Sequence, residues 1–102
     1  MASQLALNRE LRSLLPSKHV YYEPAESLKL EYPCIVYHRD YIDTRKADNR
    51  NYTIRNRYQL TVIDREEDNP VIYDILNHFT FCEYDRHYVS NGLHHDVISL
   101  YY

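Results

Sequence analysis

An alternation of apolar and polar side chains along residues 52–64 constrains the fold of this chain more than any other feature. One set of alternate positions is apolar or aromatic: Tyr52, Ile54, Tyr58, Leu60 and Val62. The positions between them are polar: Arg55, Arg57, Gln59 and Thr61. A period of two over this length predicts a long β-strand with one buried face and one wet face, as in an antiparallel sheet.

Two segments have the apolar spacing of an α-helix. In the first, Pro16 follows a stripe made of Leu5, Leu7, Leu11, Leu14 and Leu15. In the second, Asn69 and Pro70 are typical of an N-cap and a first helical residue. The apolar stripe of that second helix is Ile72, Ile75, Leu76 and Phe79. We therefore predict one helix at the beginning of the chain and one after the long strand.

Four further segments are rich in strand-forming residues: residues 19–22, 33–38, 81–88 and 93–102. The last two are joined through Asn91 and Gly92, a pair typical of a tight β-hairpin turn. Residues 43–51 contain no apolar side chain except one alanine. We expect them to form a polar loop at the tip of a long hairpin.

The predicted order of elements is α-β-β-β-α-β-β. Short connections between these elements favour an α+β fold, with a mostly antiparallel sheet and both helices packed on one face. A length of 102 residues predicts a single domain over residues 1–102. The core of so short a chain is small, because only about two-thirds of the unfolded surface can be buried.

The composition argues against catalysis. One glycine in the whole chain excludes the Rossmann and P-loop motifs and the Gly-x-Ser-x-Gly elbow. Cys34 and Cys82 lack the Cys-x-x-Cys spacing of a metal site, and we expect two small buried thiols in a reducing compartment. His94 and Asp96 predict no more than a surface pair. We therefore expect no enzymatic activity, no metal and no cofactor.

The chain also lacks the features of an exported or membrane-spanning protein. Charges at Arg9, Glu10 and Arg12 interrupt the apolar residues at its beginning, which is unlike a signal peptide. No apolar run approaches the ~20 residues needed to cross a bilayer. We expect a soluble protein with no membrane contact.

Charge is distributed unevenly along the chain. Residues 39–57 carry six basic and three acidic side chains, a net charge of +3, which leaves −6 for the remainder of a chain whose formal charge is −3. Such a split can orient one subunit against the next. The alternative is a solvated loop with two flanking strand faces.

Three segments of the chain resemble one family. They are Tyr-Pro-Cys-Ile-Val-Tyr at residues 32–37, Tyr-Gln-Leu-Thr-Val-Ile-Asp at 58–64 before a run of acids, and Asn-Gly-Leu-His-His-Asp at 91–96. With the polar hairpin tip and the opening helix, they resemble the tail terminator (tail completion) proteins of long-tailed bacteriophages and prophages. The resemblance covers nearly the whole chain.

This resemblance implies an α+β subunit of a hexameric ring in the virion. The ring caps the end of the tail tube that faces the head, stops polymerisation of the tail tube protein, and joins the head-completion (stopper) protein. Phage DNA passes through the lumen without sequence recognition, and no reaction is catalysed. The subunit is assembled in the cytoplasm of the bacterial host and resides at the head–tail junction.

Two sets of charged residues are the predicted contacts. Arg45, Lys46 and Arg50 at the hairpin tip are expected to face a partner ring or the channel. The expected inter-subunit contacts join Arg55 and Arg57 to an acidic set, Glu66, Glu67 and Asp68. Two other functions stay open at this point: a head–tail connector or stopper protein of the neck, and a small non-virion regulatory or interaction protein of a prophage.

Overall fold

A computed structural model describes residues 4–48 and 50–102, with residues 47 and 51–53 described by their backbone alone. Its elements are α1 (Gln4–Leu14), β1 (Val20–Tyr22), β2 (Cys34–Ala47), β3 (Arg50–Asp64), α2 (Val71–His78), β4 (Cys82–Ser90) and β5 (Leu93–Tyr101). The predicted order α-β-β-β-α-β-β is confirmed.

The five strands form one sheet in the order β1-β2-β3-β5-β4. β1 pairs parallel to β2 through three residues, and every other pairing is antiparallel. The mostly antiparallel sheet is therefore confirmed. β4 lies at one edge of this sheet, and eight of its nine residues are exposed.

Both helices pack on the same face of the sheet, as predicted. The alternation in β3 places Tyr58, Leu60 and Val62 on this face, where all three are buried. The helices supply the other side of the core with Leu7, Leu11, Leu15, Val71, Ile72, Ile75 and Phe79. Leu5 was predicted for the same stripe and is instead 66% exposed. At 3.6 residues per turn Leu5 lies about 200° around the helix from Leu7, so it points away from the sheet.

The long hairpin is confirmed, but the polar loop predicted for residues 43–51 is wrong. β2 continues to Ala47 and β3 begins at Arg50, with ladder pairs such as Asp43–Arg55 and Ala47–Arg50. Asp48 has a φ of 53° in the turn, and Asn49 lies outside the described residues. Backbone pairing needs no apolar side chains, and opposite charges across an antiparallel pair favour it.

Two local predictions are confirmed by their geometry. The Asn69 Oδ1 atom accepts a hydrogen bond from the Val71 N–H at 3.0 Å, and Pro70 has a helical φ of −64°. Asn91 and Gly92 have φ values of 52° and 74°, the positive pair that a two-residue hairpin turn of type I′ requires. The Asn69 cap fixes where α2 begins, and the Asn91-Gly92 turn fixes the register between β4 and β5.

Candidate functional site

β2 and β3 extend beyond the other strands as a two-stranded ribbon. β1 pairs with β2 only as far as Tyr37, and β5 pairs with β3 only as far as Arg57. We call residues 42–55 the arm, because within the described chain no third strand pairs with them. The molecule measures 51 Å in its long dimension and 28 Å and 24 Å across. The arm therefore projects from the body of the protein.

The tip of the arm is strongly basic. Arg45, Lys46 and Arg50 are all exposed, so the structure brings together the three cations predicted for the hairpin tip. The Arg45 guanidinium is 3.8 Å from Asp43. Among residues 4–48 and 50–102, no carboxylate forms an ion pair with Lys46 or Arg50.

Arg55 and Arg57, at the base of the arm, already have acidic partners in their own chain. Arg55 lies 3.3 Å from Asp43, and Arg57 donates to both oxygens of Asp40 at 3.0 and 3.3 Å. A register shift between Arg39 and Tyr41 leaves Asp40 free to reach Arg57. Such two-pronged arginine–carboxylate pairs fix orientation as well as charge.

Aromatic rings flank the same two arginines. The Arg55 guanidinium carbon lies 4.6 Å from the ring centroid of Tyr101 and 5.1 Å from that of Phe81. The Arg57 guanidinium lies 5.0 Å from the ring centroid of Tyr41. Cation–π contacts of this kind add to the ion pairs. Arg55 therefore holds the base of the arm against the ends of β4 and β5, and Arg57 joins β3 to β2 there. The predicted inter-subunit contact of these two arginines stays a prediction.

The acidic residues predicted to meet these arginines lie at the other end of the sheet. Glu66, Glu67 and Asp68 are exposed in the connection between β3 and α2. The connection is held by Asp64, whose carboxylate accepts from the Glu66 N–H at 3.3 Å and the Asn69 side chain at 2.9 Å. The seven residue-to-residue steps along β3 from Arg57 to Asp64 span about 23 Å. These charges therefore do not meet within one chain.

A cleft of about 460 Å³ lies between α2 and the β4–β5 hairpin. We call it the acidic cleft, because Glu67, Asp68 and Asp96 contribute to its lining. Its apolar and aromatic lining comes from Ile72, Tyr73, Leu76 and Tyr84. Tyr73 is 67% exposed. The cleft thus combines negative charge with accessible apolar surface.

A hydrogen-bonded chain of side chains borders the acidic cleft. Asp96 is buried, and one of its oxygens accepts from the Tyr84 hydroxyl at 2.7 Å and from His87 Nδ1 at 2.8 Å. Because Nδ1 donates to Asp96, Nε2 of neutral His87 is an acceptor, and His94 Nδ1 lies 3.3 Å from it. The carboxylate therefore sets the orientation of two imidazole rings.

The predicted surface pair of His94 and Asp96 is wrong. Asp96 is buried, and its partner is His87, which lies directly opposite it in the β4–β5 ladder. The signal that could have shown this is the Asn91-Gly92 turn. A two-residue turn makes Ser90 and Leu93 a pair, and counting back along both strands places His87 opposite Asp96.

The two cysteines are free thiols on strands separated by two others. Cys34 is buried, which together with the negative charge of Asp64 raises its pKa to about 12. Cys82 is half-buried, and its Sγ lies 3.4 Å from the Phe79 carbonyl oxygen. Both cysteines serve as small packing residues, as the sequence indicates.

Two tyrosines make the stability of the protein sensitive to alkaline pH. Tyr84 is 44% exposed, but desolvation of its hydroxyl against the buried Asp96, with the hydrogen bond it donates there, raises the pKa of Tyr84 to about 12. Burial, with a hydrogen bond to Glu10, raises the pKa of Tyr102 to about 12 as well. An unperturbed tyrosine ionises near pH 10. The native state therefore keeps these two hydroxyl protons, and likewise the Cys34 thiol proton, to a higher pH than the unfolded chain does.

We expect the free energy of unfolding to fall as pH rises from about 9, where the Cys34 thiol begins to contribute, to about 12, with the two hydroxyls contributing above about 10. The contribution of the two hydroxyls is complete below the unfolded pKa and is lost as pH passes the folded pKa. Urea denaturation at a series of alkaline pH values measures the decline. The double variant Tyr84→Phe/Tyr102→Phe should show a flatter decline than the unaltered chain. An equal slope in the two proteins would contradict the assignment.

Three broader observations complete the description of the candidate site. In the part of the chain that the structure describes, no group of three or more His, Cys, Asp and Glu residues could hold a metal ion. No helix within residues 4–48 and 50–102 is long and apolar enough to cross a bilayer. No protein-family model and no curated protein matches this sequence.

Proposed function

We propose that this chain is the tail terminator subunit of a long-tailed bacteriophage or prophage. In this proposal a hexameric ring caps the head-proximal end of the tail tube, stops its polymerisation and joins it to the head-completion (stopper) ring. Residues 32–37, 58–64 and 91–96 resemble segments of tail terminator proteins, and this resemblance suggests the role. The observation that carries it is the arm, which projects from a small core with its base fixed and its tip available.

The surface of the arm suits assembly with other proteins. Ile42 and Ile54 are exposed on it, and Tyr41 is exposed at its base. A two-stranded ribbon is only marginally stable in water, and it gains stability from contacts with a partner. Tyrosine and arginine are also enriched where protein interfaces contribute most to binding.

The distribution of charge supports a ring. The basic tip and the acidic residues of the β3–α2 connection lie at opposite ends of the subunit. A contact between two different surfaces of identical subunits produces a closed ring when the rotation that relates neighbouring subunits adds up to a full turn. A subunit with a small core also gains stability when a partner binds only its folded state.

The proposed ring also has binding partners at its two ends and in its lumen. The tail tube protein and the stopper protein would bind its two ends, and DNA would pass through the lumen by contact with charge alone. The sequence predicts that the tip cations face a partner ring or the channel. Assembly takes place in the host cytoplasm, and the finished ring lies at the head–tail junction of the virion.

Electron microscopy of assembled particles that carry a label on this subunit tests the proposal. A label on the ring at the head-proximal end of the tail tube is the expected result. A label between that ring and the head would identify a connector or stopper protein instead. Particles without any label would point to a non-virion protein and would end the proposal.

A variant without the arm provides a second test of the proposal. Replacing residues 43–55 by Asn-Gly joins Ile42 to Asn56, which already form a ladder pair. This variant should keep its helices and core, because none of the described core side chains comes from the arm. We expect it to be folded but absent from particles.

A further inference from the structure

We infer that the acidic cleft of one copy receives the arm tip of a second copy of this chain. In this contact Glu67 and Asp68 pair with the tip cations Arg45, Lys46 and Arg50. The inference rests on the proposed ring and names the contact that closes it. It also gives the acidic connection a different partner from the one the sequence suggested, since Arg55 and Arg57 are engaged elsewhere.

Clusters of like charge that form no close ion pair within the described chain lie on these two surfaces. Arg55 and Arg57 each lie 3.3 Å or less from an aspartate of β2. At the tip, the Arg45 guanidinium lies 3.8 Å from its nearest carboxylate, that of Asp43, and the Arg45 side chain is 70% exposed. Within the described ranges, Glu67 and Asp68 also form no ion pair. Even with Asp48 at the tip and Arg65 in the connection, the tip keeps an exposed excess of positive charge and the connection an exposed excess of negative charge.

The apolar surfaces match as well. Ile54 pairs with Thr44, so Ile42 is its diagonal neighbour on the same face of the arm. Their exposed fractions are 46% and 42%. The cleft offers Leu76 and the rings of Tyr73 and Tyr84 to such a face. Ion pairs at the rim and apolar contacts in the centre are the usual organisation of a protein interface.

The arm cannot fill the cleft of its own chain. Asp96 in the cleft pairs with Val62 near one end of β3, whereas Arg50 begins the other end. The strand between them spans about 40 Å. The complementary surfaces therefore face away from each other in one subunit, and only a second molecule can bring them together. This head-to-tail arrangement is the one that generates rings.

A charge-swap experiment tests the contact with the full chain. The tip variant is R45E/K46E/R50E, and the cleft variant is E67R/D68R. Sedimentation velocity at low ionic strength should show assemblies of the unaltered chain and loss of assembly for each variant alone. An equimolar mixture of the two variants should assemble again, because each reversed surface then meets its complement. Salt near 1 M should dissociate the assemblies, since the screening length falls to about 3 Å.

Matched controls separate the contact from net charge and from folding. R9E/R12E/K29E and E23R/E26R make the same charge changes at exposed positions elsewhere, and both should assemble normally. Acidic residues before α2 also stabilise the N-terminus of this helix, so E67R/D68R could weaken the helix as well as the contact. The neutral variant E67Q/D68Q removes the negative charge of the cleft without adding positive charge there. It should keep its circular dichroism spectrum and show weakened assembly.

Three results would overturn the inference: a monomeric unaltered chain at every concentration, a swap variant that assembles normally alone, or a mixture of variants that stays monomeric. Each of these leaves the location of the subunit in the virion to the labelling experiment. Conversely, a protein that assembles through tip and cleft but carries no label into particles would end the proposed function alone.

Discussion

Leu11→Ala is expected to lower the free energy of unfolding by about 2–5 kcal/mol. Leu11 is completely buried and packs in the cluster that joins α1 to the sheet. Truncation removes its apolar contacts and leaves a cavity, because a close-packed core relaxes only in part. Against a typical total stability of about 5–15 kcal/mol, this loss leaves many molecules unfolded on mild heating.

The same helix provides the matched control for this prediction. Leu5→Ala removes the same atoms from a side chain that is 66% exposed, and it should change stability by less than about 0.5 kcal/mol. Urea denaturation followed by circular dichroism measures both variants. Equal losses would mean that α1 is rotated relative to the sheet from the orientation described. If Leu5 instead contacts a partner, its truncation will weaken assembly without weakening the monomer.

Asp96→Asn is expected to cost about 1–3 kcal/mol of stability. The carboxylate is 6% exposed and accepts hydrogen bonds from Tyr84 and His87 on one oxygen. The oxygen of an amide can still accept both hydrogen bonds, but the substitution removes the negative charge that strengthens them. Because Tyr84 and His87 are partly accessible to water, the cost should lie toward the lower end of the range.

Asp68→Asn is the control for Asp96, since it makes the same change at an exposed position of the same cleft. It should leave stability within about 0.5 kcal/mol of the unaltered chain. Asp96→Asn should in addition bring the pKa of Tyr84 down toward the ordinary value, as its hydrogen bond to a carboxylate is gone. Ultraviolet difference absorbance over an alkaline titration reports that change. No effect on either stability or tyrosine ionisation would contradict the described network.

Features encoded by neighbouring residues could be predicted from the sequence. The alternation in β3, the Asn69 cap of α2 and the Asn91-Gly92 turn each depend on a few adjacent side chains. Their structures follow from local hydrogen bonding and from which faces are apolar. For this reason the order of elements and the composition of the core were accessible without coordinates.

Features that depend on register between distant strands were not accessible in the same way. Residues 43–51 were expected to form a polar loop, yet most of them continue β2 and β3 as a paired ribbon almost to the turn. Polarity reports solvent exposure of side chains, and an exposed ribbon can still satisfy its backbone. The pairing of Arg57 with Asp40 depends on a register shift at the same place, which no residue spacing reveals.

The candidate site could likewise be predicted only in part. The tip cations were identified by their composition, and the structure places them together. The acidic cleft was missed, because its lining comes from a connection, a helix and a hairpin that meet only in three dimensions. The acids on its rim were noted, but their distance from Arg55 and Arg57 along β3 could be read only from the sheet.

The separation of the arm from the core has a consequence for how such a protein can evolve. Among the side chains that the structure describes, the core cluster includes Tyr37 and Tyr58 but none between them. Changes in the arm can therefore alter what the protein assembles with while leaving its folding stability nearly constant. Natural relatives should tolerate extensive divergence there, and grafting a foreign arm between Ile42 and Asn56 should redirect assembly without redesign of the body.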